Sequence, residues 1–142
     1  MIVVDTSALI AILEKEPDAA RYAEAIAEAD APLISAATLV ELWIVMWNRH
    51  GPNASRMVDW LIQEAGFQIE SVTPQQAQLA REAYTVYGKG RKKAGLNFGD
   101  CFSYALAKAA DLPLLFKGPD FSATDIPSAI LGTGTEQSEP RP

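Results

Sequence analysis

Apolar positions along the chain follow two rhythms. Ile2-Val3-Val4, Pro32-Leu33-Ile34 and Pro113-Leu114-Leu115-Phe116 are short apolar runs with no polar alternate. Such runs read as strands covered on both faces, as in a parallel sheet lying under helices. Between them the spacing turns helical: Thr6 to Glu14, Asp18 to Ala29, Ala36 to Asn48, Ala54 to Ala65, Pro74 to Tyr87, and Asp100 to Ala110. Thr6 and Ser7 are expected to cap the first of these, Pro17 precedes the second, Gly51-Pro52 stops the third, and Thr73 caps the helix opening at Pro74. Only Phe67 to Val72 alternates at period two, which marks an edge strand. Strands alternating with helices predict an α/β fold, a small parallel β-sheet of about four to five strands with helices on both faces.

A chain of 142 residues suits one such domain with its own core. That domain is expected over residues 1–131, because the composition from Gly132 onward is Gly, Thr, Ser, Glu and Pro, and 132–142 is expected to be a disordered tail. Hydrophobic residues make up 49% and charged residues 21%, an ordinary globular balance. No apolar run approaches the roughly 18–20 residues of a membrane span. No basic segment precedes the N-terminal apolar stretch, so that stretch is expected to be structure, not a leader. The single cysteine, Cys101, rules out an internal disulfide and suits a reducing cytoplasmic setting.

Four acids stand out against this framework. Asp5 and Asp120 follow apolar strands, at the carboxyl edge where open α/β sheets bind ligands. Glu41 lies inside ATLVELWIVMW, a helix apolar on nearly every side and so expected to be buried on more than one. Its carboxylate needs a polar cleft or a cation there, and Arg49 is too far along the helix to supply one. Asp100 starts the helix after a glycine-rich loop, a position that the helix dipole favours by itself. Carboxylates that converge without basic partners repel one another unless a cation lies between them. Oxygen-only donors suit Mg²⁺ or Mn²⁺. One His and one Cys cannot make a zinc site or a convincing nucleophilic triad, and no phosphate-binding glycine motif follows a strand.

On these residues the sequence resembles the PIN domain family, and within it the VapC-type toxins of toxin–antitoxin pairs. The stretches that carry the likeness are VVDTSALIAIL, SAATLVELWIV, LNFGDCFSYALA and LLFKGPDFSATDI, in the family's order from Met1 to about Ile126. The resemblance implies a metal-dependent endoribonuclease that hydrolyses RNA phosphodiester bonds at the sheet's carboxyl edge. Matched by motif, Asp5, Glu41 and Asp100 become its acidic triad, Asp120 a less regular fourth acid, and Thr6 or Ser7 assisting groups, all serving Mg²⁺ or Mn²⁺. Pro119, directly before Asp120, departs from the pattern. The resemblance also implies a VapB-type antitoxin partner and a homodimer. A surplus of large apolar residues, Trp43, Met46, Trp47, Met57 and Trp60, agrees with an interaction face.

Net charge is -6, yet Lys89, Arg91, Lys92 and Lys93 cluster in the loop that leads to Asp100. With Lys117 they are the candidate RNA phosphate contacts. The alternatives are a phosphatase of the haloacid-dehalogenase type, a receiver-like module and a catalytically silent PIN-like domain. The first wants an Asp where Ser7 stands. The second wants paired acids near the first strand and an Asp after a central one, where this chain has Glu70-Ser71-Val72.

Overall fold

Val3 and Val4 have no accessible surface, although successive strand residues point to opposite faces, so the first strand must be covered on both sides. A computed structural model of the chain, describing residues 1–90 and 95–130, provides that cover. In chain order the elements are β1 (Ile2–Val4), α1 (Thr6–Leu13), α2 (Ala19–Glu28), β2 (Pro32–Ser35), α3 (Ala36–His50), a 3₁₀ turn (Gly51–Asn53), α4 (Ala54–Glu64), β3 (Gln68–Glu70), α5 (Pro74–Tyr87), α6 (Phe98–Ala110) and β4 (Leu114–Leu115). The strands form one parallel sheet in the order β3-β2-β1-β4, with Val3 opposite both Leu33 and Leu114. The expected α/β architecture is therefore the observed one, with β3 at the edge.

The sheet's pleat divides the core in two. Val3, Leu33 and Leu114 pack with Ala80 and Ala83 of α5 and with Cys101, Tyr104 and Leu106 of α6. Val4, Ile34 and Leu115, one residue further along each strand, pack with Leu9 of α1, Ile26 of α2, Leu42 and Met46 of α3, and Val58 of α4. Each face thus takes alternate residues of three strands.

Several local expectations are corrected. Asp5, not Thr6 or Ser7, caps α1, its side chain accepting from the Ser7 amide while Thr6 is already helical. Helix α6 starts at Phe98, so Asp100 is its third residue; Asn97 is the cap. Helix α3 runs to His50, where Gly51, at φ 63°, ends it. Its apolar surface is not all interior: Met46 is buried, Trp43 and Met57 are half-buried, and Val40, Ile44, Trp47 and, on α4, Trp60 are exposed. Glu14, just after α1, bonds Arg49 at 3.0 Å and His50 at 2.8 Å. Arg91, Lys92, Lys93 and the expected tail 132–142 lie outside the described residues. Among the described residues, no helix is long and apolar enough to cross a membrane.

Ile34 is fully buried between β1 and β3. Ile34→Ala is expected to cost about 2–5 kcal/mol, read from the shift in a urea unfolding midpoint at unchanged slope.

Candidate active site

Asp5 lies where β1 hands over to α1, and its amide donates to the Leu115 carbonyl at 2.9 Å, tying it to the end of β4. Only 2% of the residue is exposed. Oδ2 accepts from the Ser7 amide at 3.0 Å and from the Ser7 hydroxyl at 2.8 Å. Oδ1 accepts from the Ser103 hydroxyl at 2.6 Å. Ser103 stands 3.1 Å from Thr38, and because its one proton goes to Asp5, Thr38 is the donor in that pair. The Lys117 amide donates to Ser7 at 2.9 Å, completing the relay on the other side. Burial still raises the Asp5 carboxyl above its ordinary value, against the pull of Ser103 and Ser7.

Glu41 extends from α3 toward the start of α1, where the Thr6 hydroxyl donates to its Oε1 at 2.6 Å. Burial raises this carboxyl too; the Thr6 bond opposes that and the Asp5 charge adds to it. Asp100 forms a reciprocal pair with Asn97: the Asn97 amide donates to Oδ2 at 3.0 Å, and the Asp100 amide donates to Asn97 Oδ1 at 2.9 Å. Burial pushes the Asp100 carboxyl up to about 7; the Asn97 amide opposes this, while the charges of Asp5, Asp120 and Glu41 all add to it. Asp120, half-buried in the turn after β4, is thus felt in the same site. The four acids picked out in the sequence share one electrostatic environment.

Among the described residues, no positive side chain contributes to the raised carboxyls of Asp5, Glu41 and Asp100. Lys117 aims its ammonium at Glu16 and at Asp18, 3.0 Å away, and not at Asp120. Among the described residues, no three His, Cys, Asp or Glu side chains are gathered as a closed ligand set. The oxygens of Asp5, Glu41 and Asp100 accept from hydroxyls and amides. The donor set fits a hard divalent cation: all oxygen, mutually repelling, at the carboxyl edge of the sheet. It does not fit a soft metal. Cys101 donates to the Asn97 carbonyl, and its thiol is pushed up to about 11, first by burial. The apolar groove of about 520 Å³ between α5 and α6, lined by Tyr84, Phe98 and Phe102, contains none of the acids.

Three polar residues of the site escaped the sequence reading. Ser103 follows Asp100 by three residues and Thr38 precedes Glu41 by three, so each shares a helix face with an acid. Asn97 and Asp100 have the spacing of a capping box.

The chain matches the family model described as the PIN domain over residues 2–127. A VapC ribonuclease of Mycobacterium bovis is 53% identical over 129 residues, spanning 90% of this chain and 97% of the relative. A ribonuclease VapC of Mycolicibacterium smegmatis is 48% identical over 124 residues, 87% and 96% of the two chains. Among solved structures, VapC20 of Mycobacterium tuberculosis, described as a sarcin–ricin loop cleaving toxin, aligns with a TM-score of 0.71 at 22% identity over 89% of this chain and 96% of its own. The VapBC2 structure from Rickettsia felis, bound to a DNA fragment from its promoter, aligns at 0.67 and 18% identity over 90% and 96%. These two likenesses speak for the fold alone. The chain belongs to the PIN domain family and, within it, to the VapC-type toxins. The expected family and fold are borne out, and the phosphatase and receiver readings are not favoured.

Asp5, Glu41 and Asp100 all hold their protons more tightly than free carboxyls do. For Asp100 the folded value of about 7 exceeds the ordinary 3.8, so the folded chain binds the extra proton between those values. This stability is fully present below the lower value and lost as pH rises through the upper one. In a chelator the thermal midpoint is therefore expected to fall between pH 5 and pH 8, and Asp100→Asn to flatten that fall.

Proposed function

We propose that this chain is a Mg²⁺- or Mn²⁺-dependent endoribonuclease, the toxin of a toxin–antitoxin pair, with Asp5, Glu41, Asp100 and Asp120 as its catalytic acids and cation ligands. The observation that carries this reading is the coupling of Asp100 to the other three acids in a site whose described donors are all uncharged. When bound, the cation supplies positive charge to the scissile phosphate and acidifies a water for the attack. The chain's own residues prepare for this. Ser7 and Ser103 fix both oxygens of Asp5, Thr6 fixes one oxygen of Glu41, and Asn97 fixes one oxygen of Asp100. Asp100 would give up a tightly held proton in holding the cation, and Asp120 would add charge from the rim of the site.

The RNA backbone is assigned to the basic segment Lys89, Arg91, Lys92 and Lys93. Its described flanks support this, because Lys89 donates to the Leu96 carbonyl and Leu96 to the Tyr87 carbonyl, each at 2.7 Å, which sets Lys89 against the residue just ahead of Asn97. Lys117 belongs to this set more weakly, because Glu16 and Asp18 already engage its ammonium. A VapB-type antitoxin is proposed as partner, supported by the toxin–antitoxin complexes among the structural neighbours and by the exposed Val40, Ile44, Trp47 and Trp60. A homodimer and a cytoplasmic location complete the reading.

Asp100→Asn keeps a side chain that accepts hydrogen bonds at the helix start but loses the charge. It is expected to keep the circular dichroism of the parent, to lose Mn²⁺ binding by calorimetry, and to reduce RNA cleavage to background; parental binding and cleavage would defeat the assignment. Replacing Arg91, Lys92 and Lys93 by Ala in an inactive Asp5→Asn background is expected to weaken all single-stranded RNAs alike. The salt slope should fall by about 0.7 for each phosphate that the segment no longer neutralises. An unchanged slope would make the segment a solvated turn.

A further inference from the structure

Glycine is a poor helix former, yet Gly99 is the second residue of α6. Its backbone does not call for glycine, since it is not among the chain's positive-φ positions, which include Gly51, Gly66, Gly90, Gly95 and Gly118. What excludes a side chain is a neighbour. A Cβ built on Gly99 would lie 2.7 Å from Glu41 Oε1 and nearer still to Oε2 and Cδ, closer than real Cβ atoms come to other atoms. The carboxylate of Glu41 therefore rests directly on the first turn of α6, one residue before Asp100, while Thr6 holds it from the side of α1.

We infer that Gly99 is a positioning residue for Glu41: the space left by its missing side chain is the seat that sets this carboxylate beside Asp100. The inference rests on the proposed role of Glu41 as a cation ligand. The seat also has favourable electrostatics, because the first turn of a helix presents free amides and the positive end of its dipole to an anion. Three elements meet at this one side chain. Helix α3 supplies it, α1 supplies the Thr6 hydroxyl, and α6 supplies the bare backbone. The three atoms nearest to a methyl group on Gly99 all belong to the far end of the flexible Glu41 side chain, so Glu41, not the helix, must give way. Glu41 would then swing off its seat and away from Thr6.

Two readouts test this, and neither needs turnover. The first is Mn²⁺ binding by calorimetry on the full chain. Gly99→Ala is expected to keep the parent's circular dichroism and to bind Mn²⁺ about tenfold more weakly, the usual scale for disturbing a ligand's support. Binding within twofold of the parent would overturn the inference. The second is a thermal-stability cycle with Glu41→Ala, run in a chelator. With the carboxylate removed, alanine at position 99 has room and a better helix propensity, so Gly99→Ala should raise the midpoint of Glu41→Ala. In the parent background it should leave the midpoint unchanged or lower it. Equal shifts in both backgrounds would mean that the side chain meets something other than Glu41, and would overturn the inference. Should Gly99→Ala fail to fold alone, recovery of folding in the Glu41→Ala background supports the seat, and failure in both backgrounds overturns it. If Glu41→Ala binds Mn²⁺ as the parent does, the ligand role of Glu41 has failed. If Glu41→Ala loses binding while Gly99→Ala keeps it, only the seat has failed.

Discussion

Carboxylates placed where water is scarce are costly to ionise, first through burial and then through one another's charge, and that cost governs the rest of this structure. The chain brings Asp5, Glu41, Asp100 and Asp120 within electrostatic reach and meets the first three with neutral donors only: the hydroxyls of Thr6, Ser7 and Ser103 and the amides of Ser7 and Asn97. Neutral donors orient an anion without cancelling it. Among the described residues, three positive charges are committed elsewhere. Arg49 is bound to Glu14, Lys117 to Glu16 and Asp18, and Lys108 to Asp125. Among the described residues charge is thus sorted, with ion pairs away from the site and the acids held by neutral donors.

The strand order explains why that centre lies where it does. From β1 the chain moves outward through β2 to β3, then returns to place β4 on the other side of β1. The segments after β1 and β4 therefore leave the sheet side by side at its carboxyl edge, joined by the bond from the Lys117 amide to Ser7, the edge where open α/β sheets bind ligands. Asp5 and Asp120 leave those two strands, and α6 delivers Asp100 to the same edge. The seat on α6 then draws Glu41 in from α3, so a helix interior contributes to a site otherwise built at element ends.

Much of this was legible in the chain. The unbroken apolar runs marked buried strands because a strand with two covered faces has no place for a polar alternate, and Val3 and Val4 divide as that logic requires. Asp5, Glu41, Asp100 and Asp120 were legible as acids in unusual places. The supporting groups were not, since a serine on an alanine-rich helix looks unremarkable until its helix is docked on a strand 98 residues away in sequence. The start of α6 was hidden because Gly99 looks like part of the preceding glycine-rich loop. Its absent side chain serves packing, and packing is invisible before the fold is known. The exposed stripe of α3 was hidden for the opposite reason: apolar residues on every side do not say which side is inside.

Parallel pairing between β1 and β4 has a consequence in time. Val3 meets Leu114, and Asp5 takes its bonds from Ser103 and, through Ser7, from the backbone of Lys117. During synthesis the first acid of the site emerges before its supports, since Ser103 follows Asp5 by 98 residues and Lys117 comes later still. A ribosome carrying a partly made chain therefore carries no assembled centre. Among the described strands the last to emerge is the one whose exit turn supports Asp5, so the site assembles only after β4 has been made.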